Sequence, residues 1–407
     1  MTMLIVQKYG GTSVADAGCI MRVAERIVQS HRAGHKMVVV LSAQGDTTDI
    51  LTAKAREIAP DPSKRELDML LVTGEQQAVA LMAMAIHKLG APALSMNAVQ
   101  VGIEATSLYG NARIRRIRPE RITRALELNS IVIVAGFQGV NRYGDMTTLG
   151  RGASDTTAVA LAAVLGADVC EIYSDVSGIF TADPRIVPVA RKLPCISYDE
   201  MLELASMGAQ VLHNRAVEMA KRHRVKLVLR SSSRFDDEGT EIREESTMEK
   251  LLFSGLAVDR DVARISVMGL VDRPGLAYHV FSLLAKEKIS VDIILQTAGN
   301  GQTKDISFTV AHEHLDAALK VLETNREQIG FDMTTYDTQV AKLSVIGAGM
   351  TTNYGVASSM FEALYDCGVN IHLISSSEIK ITVLIDENAA DRAARAIHEK
   401  FTQLMQD

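Results

Sequence analysis

The sequence contains few cysteines, and no two of them form a Cys-x-x-Cys pair. Among its 407 residues only four are cysteine, and they are scattered along the chain. Scattered thiols of this kind are typical of a reduced cytoplasm, and they predict no zinc site. We therefore expect no metal site held by the protein itself. The four are Cys19, Cys170, Cys195 and Cys367, of which Cys170 lies in an apolar run typical of a core strand.

Long apolar runs and a strong excess of basic charge are also missing. No apolar run approaches the ~20 residues of a membrane span. The N-terminal run Met3–Val6 is too short for the apolar core of a signal peptide. The formal net charge of −6 argues against nucleic acid as the main partner. We therefore expect a cytoplasmic protein that binds neither a membrane nor nucleic acid.

The composition is that of an ordinary globular chain, 47% hydrophobic and 23% charged, and the length predicts two to three domains. The N-terminal part alternates strand-like apolar runs with helical patterns, which indicates an α/β domain whose mainly parallel sheet is covered on both faces. The predicted strands are Met37–Leu41, Ile131–Ala135, Val169–Tyr173 and Lys226–Leu229. The predicted helices are Glu75–Lys88, Glu120–Leu128, Thr156–Leu165 and Asp199–Met207. Ligands of such sheets bind beyond the carboxyl ends of the strands.

The stretch from Val6 to Ser13 indicates a strand, a tight glycine turn and then a helix. Gly10 and Gly11 allow the backbone to approach a ligand closely, and their N–H groups can point outward. The start of the predicted helix adds partial positive charge, which suits phosphate. Lys8 adds a full charge. An ordinary strand-to-helix turn has the same pattern, so this stretch alone does not decide the function.

Polar loops follow the other predicted strands. Glu75 is predicted near the start of a helix, where it either complements the helix dipole or binds a cation. Arg151 lies between glycines, so its guanidinium can point into a cleft and bind a carboxylate or phosphate. Ser154 or Asp155 can cap the helix that follows. The loop 173–185 contains carboxylates, an aromatic ring and an arginine, as a nucleotide pocket would. An ordinary surface loop can have the same composition, so this motif alone leaves both interpretations open.

Beyond a polar stretch at Ser231–Met248, which predicts a domain boundary or an exposed hairpin, the chain repeats itself. Each copy is predicted to form β-α-β-β-α-β and to be too small to bury much core alone, so pairing is expected. The aligned segments are Ile265–Gly269 with Leu343–Gly347, Pro274-Gly275 with Tyr354-Gly355, Ile289–Ile293 with Val369–Leu373, and Ile306–Val310 with Ile379–Val383. Helices Leu315–Glu323 and Ala389–Phe401 close the two copies.

Together these motifs resemble those of the aspartate kinases, within the amino-acid kinase superfamily. The likeness covers nearly the whole chain, and the C-terminal repeat resembles two ACT domains. It implies an amino-acid-kinase-type, mainly parallel sheet sandwiched by helices over residues 1–245. Two ferredoxin-like α+β ACT domains follow over 246–335 and 336–407. The matching motifs are Lys8–Ser13, Gly150–Thr157, Ser174–Val176, Ala182–Arg185 and Gly208–His213.

The resemblance implies transfer of the ATP γ-phosphoryl group to the side-chain carboxylate of L-aspartate, with Mg²⁺ carried by the nucleotide. It also implies a role for each matching residue. The catalytic group is Lys8, Gly10, Gly11, Ser42 and Asp155. The aspartate-binding group is Thr47, Glu75, Arg151 and Ser154. The ATP-binding group is Lys8, Tyr9, Gly10, Gly11, Ser174, Asp175, Phe180, Asp183, Arg185 and Gln210.

Three positions depart from the family pattern. Ala153 replaces a third glycine, Phe180 replaces a tyrosine and so lacks one hydroxyl, and Gln210 replaces a lysine that contacts the nucleotide. Phe180 and Gln210 support the alternative of a weakly active regulatory subunit. The aligned residues Lys8, Glu75, Arg151 and Asp175 favour a working kinase. A kinase acting on glutamate derivatives is a nearer alternative, against which the paired ACT-like units argue. Met248 could also start a separate regulatory polypeptide.

The ACT resemblance implies that lysine, threonine or both act as feedback inhibitors, and that the units pair into an assembly, such as a homo-oligomer. A purely structural dimerisation module is the alternative. Asn370 follows the usual ACT pattern, whereas Ser290 stands where asparagine is usual. The candidate effector positions are Asp272, Pro274, Gly275, Ser290, Gln296, Asn370, Ile371 and Ser376.

Overall fold

An eight-stranded sheet organises the N-terminal part of the structure, a computed structural model that describes residues 2–206, 212–244, 253–298, 303–347 and 354–404. Contacts divide the described residues into two units. The first unit contains residues 2–180, 191–206 and 212–244. The second contains residues 181–190 together with the described residues from 253 onwards.

The first unit contains twelve strands and eight α-helices within the described residues. The strands are β1 (Leu4–Tyr9), β2 (Lys36–Leu41), β3 (Ala93–Met96), β4 (Ile103–Ala105), β5 (Ile114–Ile117), β6 (Ile131–Ala135), β7 (Gln138–Val140), β8 (Met146–Thr148), β9 (Val169–Ser174), β10 (Cys195–Ser197), β11 (Leu227–Ser231) and β12 (Thr240–Arg243). The helices are α1 (Ala17–Arg32), α2 (Thr47–Ile58), α3 (Lys64–Lys88), α4 (Ala98–Val101), α5 (Glu120–Glu127), α6 (Ala153–Leu165), α7 (Tyr198–Ser206) and α8 (Asn214–His223).

The large sheet has the strand order β10-β12-β11-β9-β1-β2-β6-β3. Its central strands pair in parallel, and β11 and β12 form an antiparallel hairpin at the position of the predicted boundary. The predicted mainly parallel sheet is therefore confirmed. Apolar runs without alternation form these strands because both faces of the sheet are covered.

Helices α1 and α3 cover one face of this sheet with a large apolar cluster. Ile27 of α1 and Ile86 of α3 pack there against inward-facing residues such as Val39 and Ile133, and all four are fully buried. The strand residues that alternate with these face α6 on the other side. The sheet lies between two helical layers, as the sequence predicts.

Helix α3 begins at Lys64, well before the predicted start at Glu75. The sequence hides this because Gly74 interrupts the helical pattern. A Cβ atom at Gly74 would lie 2.8 Å from Cβ of Ala43, so the glycine lets the helix approach the loop after β2. Glu75 is thus a mid-helix residue, and the interpretation that it complements the helix dipole is wrong.

By length and composition α3 is apolar enough to cross a membrane, contrary to the expectation that no apolar segment approaches that length. Its buried residues include the carboxylates Asp68 and Glu75, and its apolar residues pack on the sheet. These features are those of the core helix of a folded domain.

A smaller sheet of order β5-β4-β7-β8, which the sequence did not predict, lies beside α3.

The second unit contains two four-stranded sheets with helices packed against them. Its strands are β13 (Gly255–Asp259), β14 (Ala263–Val271), β15 (Ile294–Ala298), β16 (Thr303–Val310), β17 (Met333–Asp337), β18 (Val340–Ile346), β19 (Leu373–Ser376) and β20 (Lys380–Asp386). Its α-helices are α9 (Leu276–Lys286), α10 (Leu315–Thr324), α11 (Arg326–Ile329), α12 (Val356–Asp366) and α13 (Ala390–Leu404). The sheet orders are β15-β16-β14-β17 and β13-β18-β20-β19.

The internal repeat is visible in the backbone. Gly275 precedes α9 with φ of +88° and Gly355 precedes α12 with φ of +91°, so both copies need glycine at the same turn. The second strand of each copy begins later than predicted, at Ile294 and at Leu373, after the turn that ends each helix. Ser290 and Asn370 therefore lie in loops that precede these strands.

Strand pairing also corrects the alignment of the repeat. Val267 pairs with Ile306, and the equivalent Val345 pairs with Ile381 rather than Ile379. The predicted alignment of Ile306–Val310 with Ile379–Val383 is therefore wrong by two residues. A shift of two residues keeps apolar side chains on the same face of the strand, so the apolar pattern fits both alignments.

Within its described residues, the second copy does not supply its own fourth strand. That strand is β13, which precedes the first copy in the chain and pairs with β18. The first copy has the predicted β-α-β-β-α-β order and ends with β17, but the second ends with α13. The predicted second ACT domain over 336–407 contains the second copy of the repeat, but it does not include β13.

The segment 181–190 belongs to the second unit, although residues 180 and 191 on either side of it belong to the first. Ala182 and Val187 are buried in the apolar cluster that contains Phe253 and Ile397. The backbone oxygen of Thr181 accepts a hydrogen bond of 2.8 Å from the backbone N–H of Leu256. The chain therefore crosses between the units at both ends of this segment.

Candidate active site

Three parallel strands end at the same level, and this alignment brings their loops together. Tyr9 at the end of β1 is level with Leu41 of β2 and with Tyr173 of β9. The residues that follow, among them Gly10 and Ser42, therefore meet at one edge of the sheet. This is the edge at which parallel sheets bind ligands.

The glycine turn after β1 packs closely against the loop after β2. A Cβ atom at Gly11 would lie 2.6 Å from the backbone oxygen of Ala43, so only glycine fits. The backbone N–H of Gly45 also donates to the backbone oxygen of Gly11 at 3.0 Å. The two loops are therefore packed together beside Lys8. The Nζ atom of Lys8 would lie 3.7 Å from a Cβ atom at Gly10.

The helix predicted directly after the glycines begins only at Ala17, after a 3₁₀ turn from Gly11 to Val14. Its N-terminus is capped by Asp16, whose carboxylate accepts a hydrogen bond of 2.7 Å from the backbone N–H of Cys19. These hydrogen bonds lower the pKa of the Asp16 carboxyl group. The predicted helix start is therefore displaced from the glycines, and a carboxylate of the chain itself caps it.

Lys8 and Asp155 form a buried ion pair. The Lys8 Nζ atom lies 2.7 Å from Oδ1 of Asp155, and the two side chains are 13% and 8% exposed. Lys8 points toward α6 because strand residues alternate, and Asp155 lies in the first turn of that helix. Removing one partner of such a pair leaves an uncompensated charge and costs about 3–5 kcal/mol. The ammonium group of Lys8 is thus held beside the glycine turn.

The side chain of Tyr9 lies on the opposite face of the sheet from Lys8. It is fully buried, and its ring stacks on that of Tyr173 with the centroids 4.5 Å apart. Its hydroxyl group donates to the side-chain oxygen of Gln7 at 3.1 Å. The Tyr9 ring therefore belongs to the core, so the predicted nucleotide contact of this residue would involve its backbone.

Glu75 offers a buried carboxylate with one unpaired oxygen. Its Oε1 atom accepts a hydrogen bond of 3.1 Å from the backbone N–H of Ala43, and the residue is 2% exposed. Its Oε2 atom is buried and has no hydrogen-bond partner within the described part of the chain. Burial raises the pKa of the Glu75 carboxyl group to about 7. A cationic ligand group would satisfy the unpaired oxygen.

Arg151 is presented by a loop that two glycines shape. Gly150 and Gly152 have φ of +94° and +73°, values that favour glycine. Gly152 is the N-cap of α6, so the expectation that Ser154 or Asp155 caps this helix is wrong. The Arg151 side chain is 85% exposed, and its Nη2 atom lies 2.8 Å from Oδ1 of Asp49.

The remaining residues of the predicted aspartate site lie on the adjoining elements. Thr47 is the first residue of α2, and its hydroxyl group donates to the backbone oxygen of Gln44 at 2.6 Å. Ser154 is buried against Gly136, where a Cβ atom would lie 2.7 Å from the Ser154 hydroxyl oxygen. The half-buried Ser42 donates its backbone N–H to the oxygen of Tyr9 at 3.2 Å.

The predicted nucleotide residues divide between the two units. Ser174 donates to Asp175 at 3.0 Å in the first unit, which also contains the half-buried Phe180. Asp183 and Arg185 belong to the second unit and pair with each other at 2.7 Å. The hydrogen bond from Arg185 lowers the pKa of the Asp183 carboxyl group. Gln210 and Met248 lie outside the described residues.

His213 belongs to this site, although sequence reasoning did not select it. Its backbone N–H donates to Oδ2 of Asp155 at 3.4 Å, and its Cδ2 atom would lie 2.8 Å from a Cβ atom at Gly152. Burial lowers the pKa of the imidazole. His213 is the last residue of the family motif Gly208–His213, so the sequence did contain a signal for it. Only Gln210 of that motif was given a predicted role.

The candidate effector positions lie at corresponding places in the two copies of the repeat. Gln296 of β15 and Ser376 of β19 are both exposed and pair with the equivalent Ile306 and Ile381. Asp272 lies before the α9 turn, with its carboxylate 3.5 Å from Nζ of Lys304. In the described residues no three His, Cys, Asp or Glu side chains cluster as metal ligands would.

Comparison with known proteins identifies the family. The amino acid kinase family matches residues 3–231, and the ACT domain matches residues 265–325 and 343–401. The aspartokinase of Mycolicibacterium smegmatis is 50% identical over 405 residues, which cover 98% of this chain and 96% of that relative. The chain belongs to the aspartokinase family. It is therefore an ATP-dependent phosphotransferase, and the predicted family is confirmed.

Solved aspartokinases share the fold of this chain. Escherichia coli aspartokinase III in complex with aspartate and ADP aligns with a TM-score of 0.85 at 25% identity, covering 98% of this chain and 99% of that one. The same enzyme in complex with lysine and aspartate aligns with a TM-score of 0.77 at 25% identity and the same coverage. The predicted combination of an amino-acid kinase sheet and ACT domains is therefore confirmed.

Proposed function

We propose that this aspartokinase transfers the γ-phosphoryl group of ATP to the β-carboxylate of L-aspartate and so forms 4-phospho-L-aspartate. This reaction is the first step towards lysine, threonine and methionine. The observation that carries the proposal is the buried pair of Lys8 and Asp155 beside the glycine turn. A solved relative described with aspartate and ADP supports the same substrate pair.

The chemistry requires positioning and positive charge rather than a base. A free aspartate carboxylate has a pKa near ~3.9, so at neutral pH it is already a nucleophile. The barrier arises from bringing two anions together and from the charge on the transferred phosphoryl group. Lys8 and the N–H groups of Gly10 and Gly11 would oppose that charge, with the Ser42 hydroxyl group close by. Asp155 would orient the lysine.

The unpaired Oε2 atom of Glu75 is suited to the α-ammonium group of aspartate, because a cation would satisfy this buried oxygen. Arg151 would bind the α-carboxylate in place of Asp49. The Arg151–Asp49 pair is largely exposed, and exposed pairs are worth about 0–1 kcal/mol, so a substrate displaces it easily. Thr47 and Ser154 would complete the aspartate site.

The nucleotide would lie along the loops after β9, bordered by Ser174, Asp175 and Phe180. Asp183, Arg185 and Gln210 would add further contacts, whereas Tyr9 would contribute through its backbone. Magnesium would be carried by the ATP phosphates, which neutralises charge during the transfer.

We infer that the ACT units bind lysine, threonine or both as feedback inhibitors. Lysine is named in one of the solved relatives, which supports this class of effector. The candidate positions are Asp272, Pro274, Gly275, Ser290, Gln296, Asn370, Ile371 and Ser376. The units would also pair between chains, because β15 is an edge strand with Ile294 53% exposed and β19 is an edge strand with Ile374 48% exposed.

The four cysteines are free thiols, which supports a reduced cytoplasm as the location.

The decisive experiment measures phosphorylation of L-aspartate with Mg-ATP, trapping the product with hydroxylamine. The assay is run without effector and with lysine, threonine or both. Turnover that an amino acid suppresses is the expected result. Turnover without suppression would reduce the ACT units to assembly modules. Binding of both substrates without turnover would contradict the proposal and favour a regulatory subunit.

A further inference from the structure

The loop that presents Arg151 is attached to a second loop. Its preceding strand, β8, ends at Thr148, whose backbone oxygen accepts a hydrogen bond of 2.9 Å from the backbone N–H of Ala112. A Cβ atom at Gly150 would lie 3.1 Å from Oδ1 of Asn111, so the two loops are in close contact. The position of Arg151 therefore depends on whatever holds residues 110–112 and 148–150.

A buried carboxylate on α3 holds both loops from one side. Asp68 is 1% exposed, and its oxygens accept hydrogen bonds from the backbone N–H of Gly110 at 2.9 Å and from the backbone N–H of Thr148 at 3.0 Å. The Thr148 hydroxyl group donates to the same carboxylate at 2.7 Å. Hydrogen bonds to a charged group are stronger than those between neutral groups, so this carboxylate holds both loops firmly.

An arginine on α8 holds the same loops from another side. The Nη1 atom of Arg215 donates to the backbone oxygen of Leu149 at 2.5 Å, and its Nη2 atom donates to the backbone oxygen of Ala112 at 3.0 Å. The planar fork of arginine suits this bridging of two oxygens, which a lysine would not reproduce. Arg215 follows soon after His213, which contacts Gly152 and Asp155 at the other end of the Arg151 loop.

Both attachments lead back to the residues that would bind substrate. Asp68 and Glu75 lie on one helix about two turns apart, so they share a face and a fixed spacing. The helix that carries the proposed ammonium-binding carboxylate thus also fixes the loop that carries the proposed carboxylate-binding arginine. Such rigid support outside the contact residues keeps a binding site in its productive geometry.

We propose that Asp68 and Arg215 are positioning residues that set Arg151 relative to Glu75 and thereby orient the α-amino-acid group of the acceptor substrate. The inference rests on the proposed roles of Glu75 and Arg151 in binding aspartate. Neither Asp68 nor Arg215 is required to touch the substrate. Each acts on aspartate through the Arg151 loop.

The test is a double-mutant cycle with the full chain, measured by the KM for aspartate and the KM for ATP. Asp68→Asn removes the negative charge and leaves one acceptor oxygen where the carboxylate has two, so the hydrogen bonds that hold the two loops are weakened. We expect it to raise the KM for aspartate by about tenfold and to change the KM for ATP less than about twofold. Arg215→Lys, which keeps the charge but loses the fork, is expected to show the same pattern and provides a second test where Asp68→Asn folds poorly.

The cycle separates positioning from mere stability. Because Asp68 acts through Arg151, Asp68→Asn should have almost no further effect on the KM for aspartate in an Arg151→Ala background. The control is Tyr198→Phe, which removes a buried hydrogen bond to the backbone oxygen of Val225 elsewhere in the same unit. It should lower the melting temperature without changing either KM.

Two results would overturn the inference. If the effects of Asp68→Asn and Arg151→Ala multiply fully, or if both KM values rise together, Asp68 and Arg215 have only a structural role. An inactive wild-type chain would reject the proposed function and this inference together, whereas an active wild type with multiplying effects rejects the inference alone.

Discussion

The Nζ atom of Lys8 lies 2.7 Å from Oδ1 of Asp155, and this contact joins the first strand of the sheet to the helix that follows the Arg151 loop. The pair places a fixed positive charge beside the glycine turn. Its geometry suggests that Asp155 serves to orient Lys8, since its hydrogen bond from the backbone N–H of His213 holds the carboxylate from the other side.

Replacing Asp155 by asparagine should therefore reduce kcat far more than substrate binding. We expect kcat to fall by about 10²–10³, the range for losing one group that stabilises transition-state charge, with a smaller change in the KM for aspartate. Steady-state kinetics with Mg-ATP provide the measurement. The control is Asp199→Asn, which removes the partner of Lys221 in an exposed pair. Equal losses in both variants would mean that the buried pair has no special role.

The pKa of Glu75 predicts a pH dependence of aspartate binding. Burial raises this pKa to about 7, so the carboxyl group is increasingly protonated as the pH falls below 7 and then attracts an ammonium group less. The KM for aspartate should rise as the pH is lowered from 7.5 to 5.5, by up to about tenfold per unit, while the KM for ATP stays nearly constant. In Glu75→Gln the KM for aspartate should be high throughout and independent of pH.

The same shift predicts how stability depends on pH. Between about pH 4.5 and 7 the unfolded chain has lost the Glu75 proton and the folded chain still holds it, so the unfolded state binds fewer protons. This group therefore makes the free energy of unfolding fall as the pH rises through that window. Denaturant melts of the wild type and Glu75→Gln should diverge there, and parallel curves would indicate that the carboxyl group titrates normally.

The packing of residues 181–190 should affect nucleotide binding, because this segment contains the proposed nucleotide-binding residues Asp183 and Arg185. Val187 is 2% exposed and packs in the second unit, whereas Phe180 belongs to the first. We expect Val187→Ala to raise the KM for ATP severalfold and to weaken effector inhibition, because it loosens the segment that carries Asp183 and Arg185. The control is Val280→Ala, which removes the same atoms from a separate cluster of that unit. A KM for ATP that changes equally in both variants would exclude this connection.

Replacing Ser376 by isoleucine should relieve inhibition by overfilling the proposed effector site. Ser376 is exposed on the edge strand β19, at the position equivalent to Gln296. The inhibitor concentration for half-maximal inhibition by lysine and by threonine is the measurement, and we expect an increase of about tenfold or more. Inhibition like that of the wild type would place the effector elsewhere.

The predictions that succeeded rest on local patterns. Apolar runs without alternation identified β2, β6 and β9, because a strand buried on both faces has no polar side. The aligned glycines Gly275 and Gly355 revealed the repeat, since each adopts a backbone conformation that favours glycine. Lys8 and Asp155 were selected by family resemblance, and the structure brings the two side chains together.

The predictions that failed depend on contacts between distant residues. Gly74 concealed the start of α3, because its packing against Ala43 is invisible in the helical pattern. The stacking of the Tyr9 ring on Tyr173 was not predicted either, because it depends on the pairing of β1 with β9. Asp68 and Arg215 gave no signal, since each acts by bonding backbone groups of remote loops.

The sequence by itself determined the α/β and repeated α+β composition, the family and the chemical character of the site, because periodicity and short motifs are local properties. Only the tertiary structure decided that β13 completes the second copy and that residues 181–190 pack in the second unit. Both arrangements bring together segments far apart in the chain. Strand pairing and burial supply the free energy for such contacts, and many alternative partners satisfy the same local pattern.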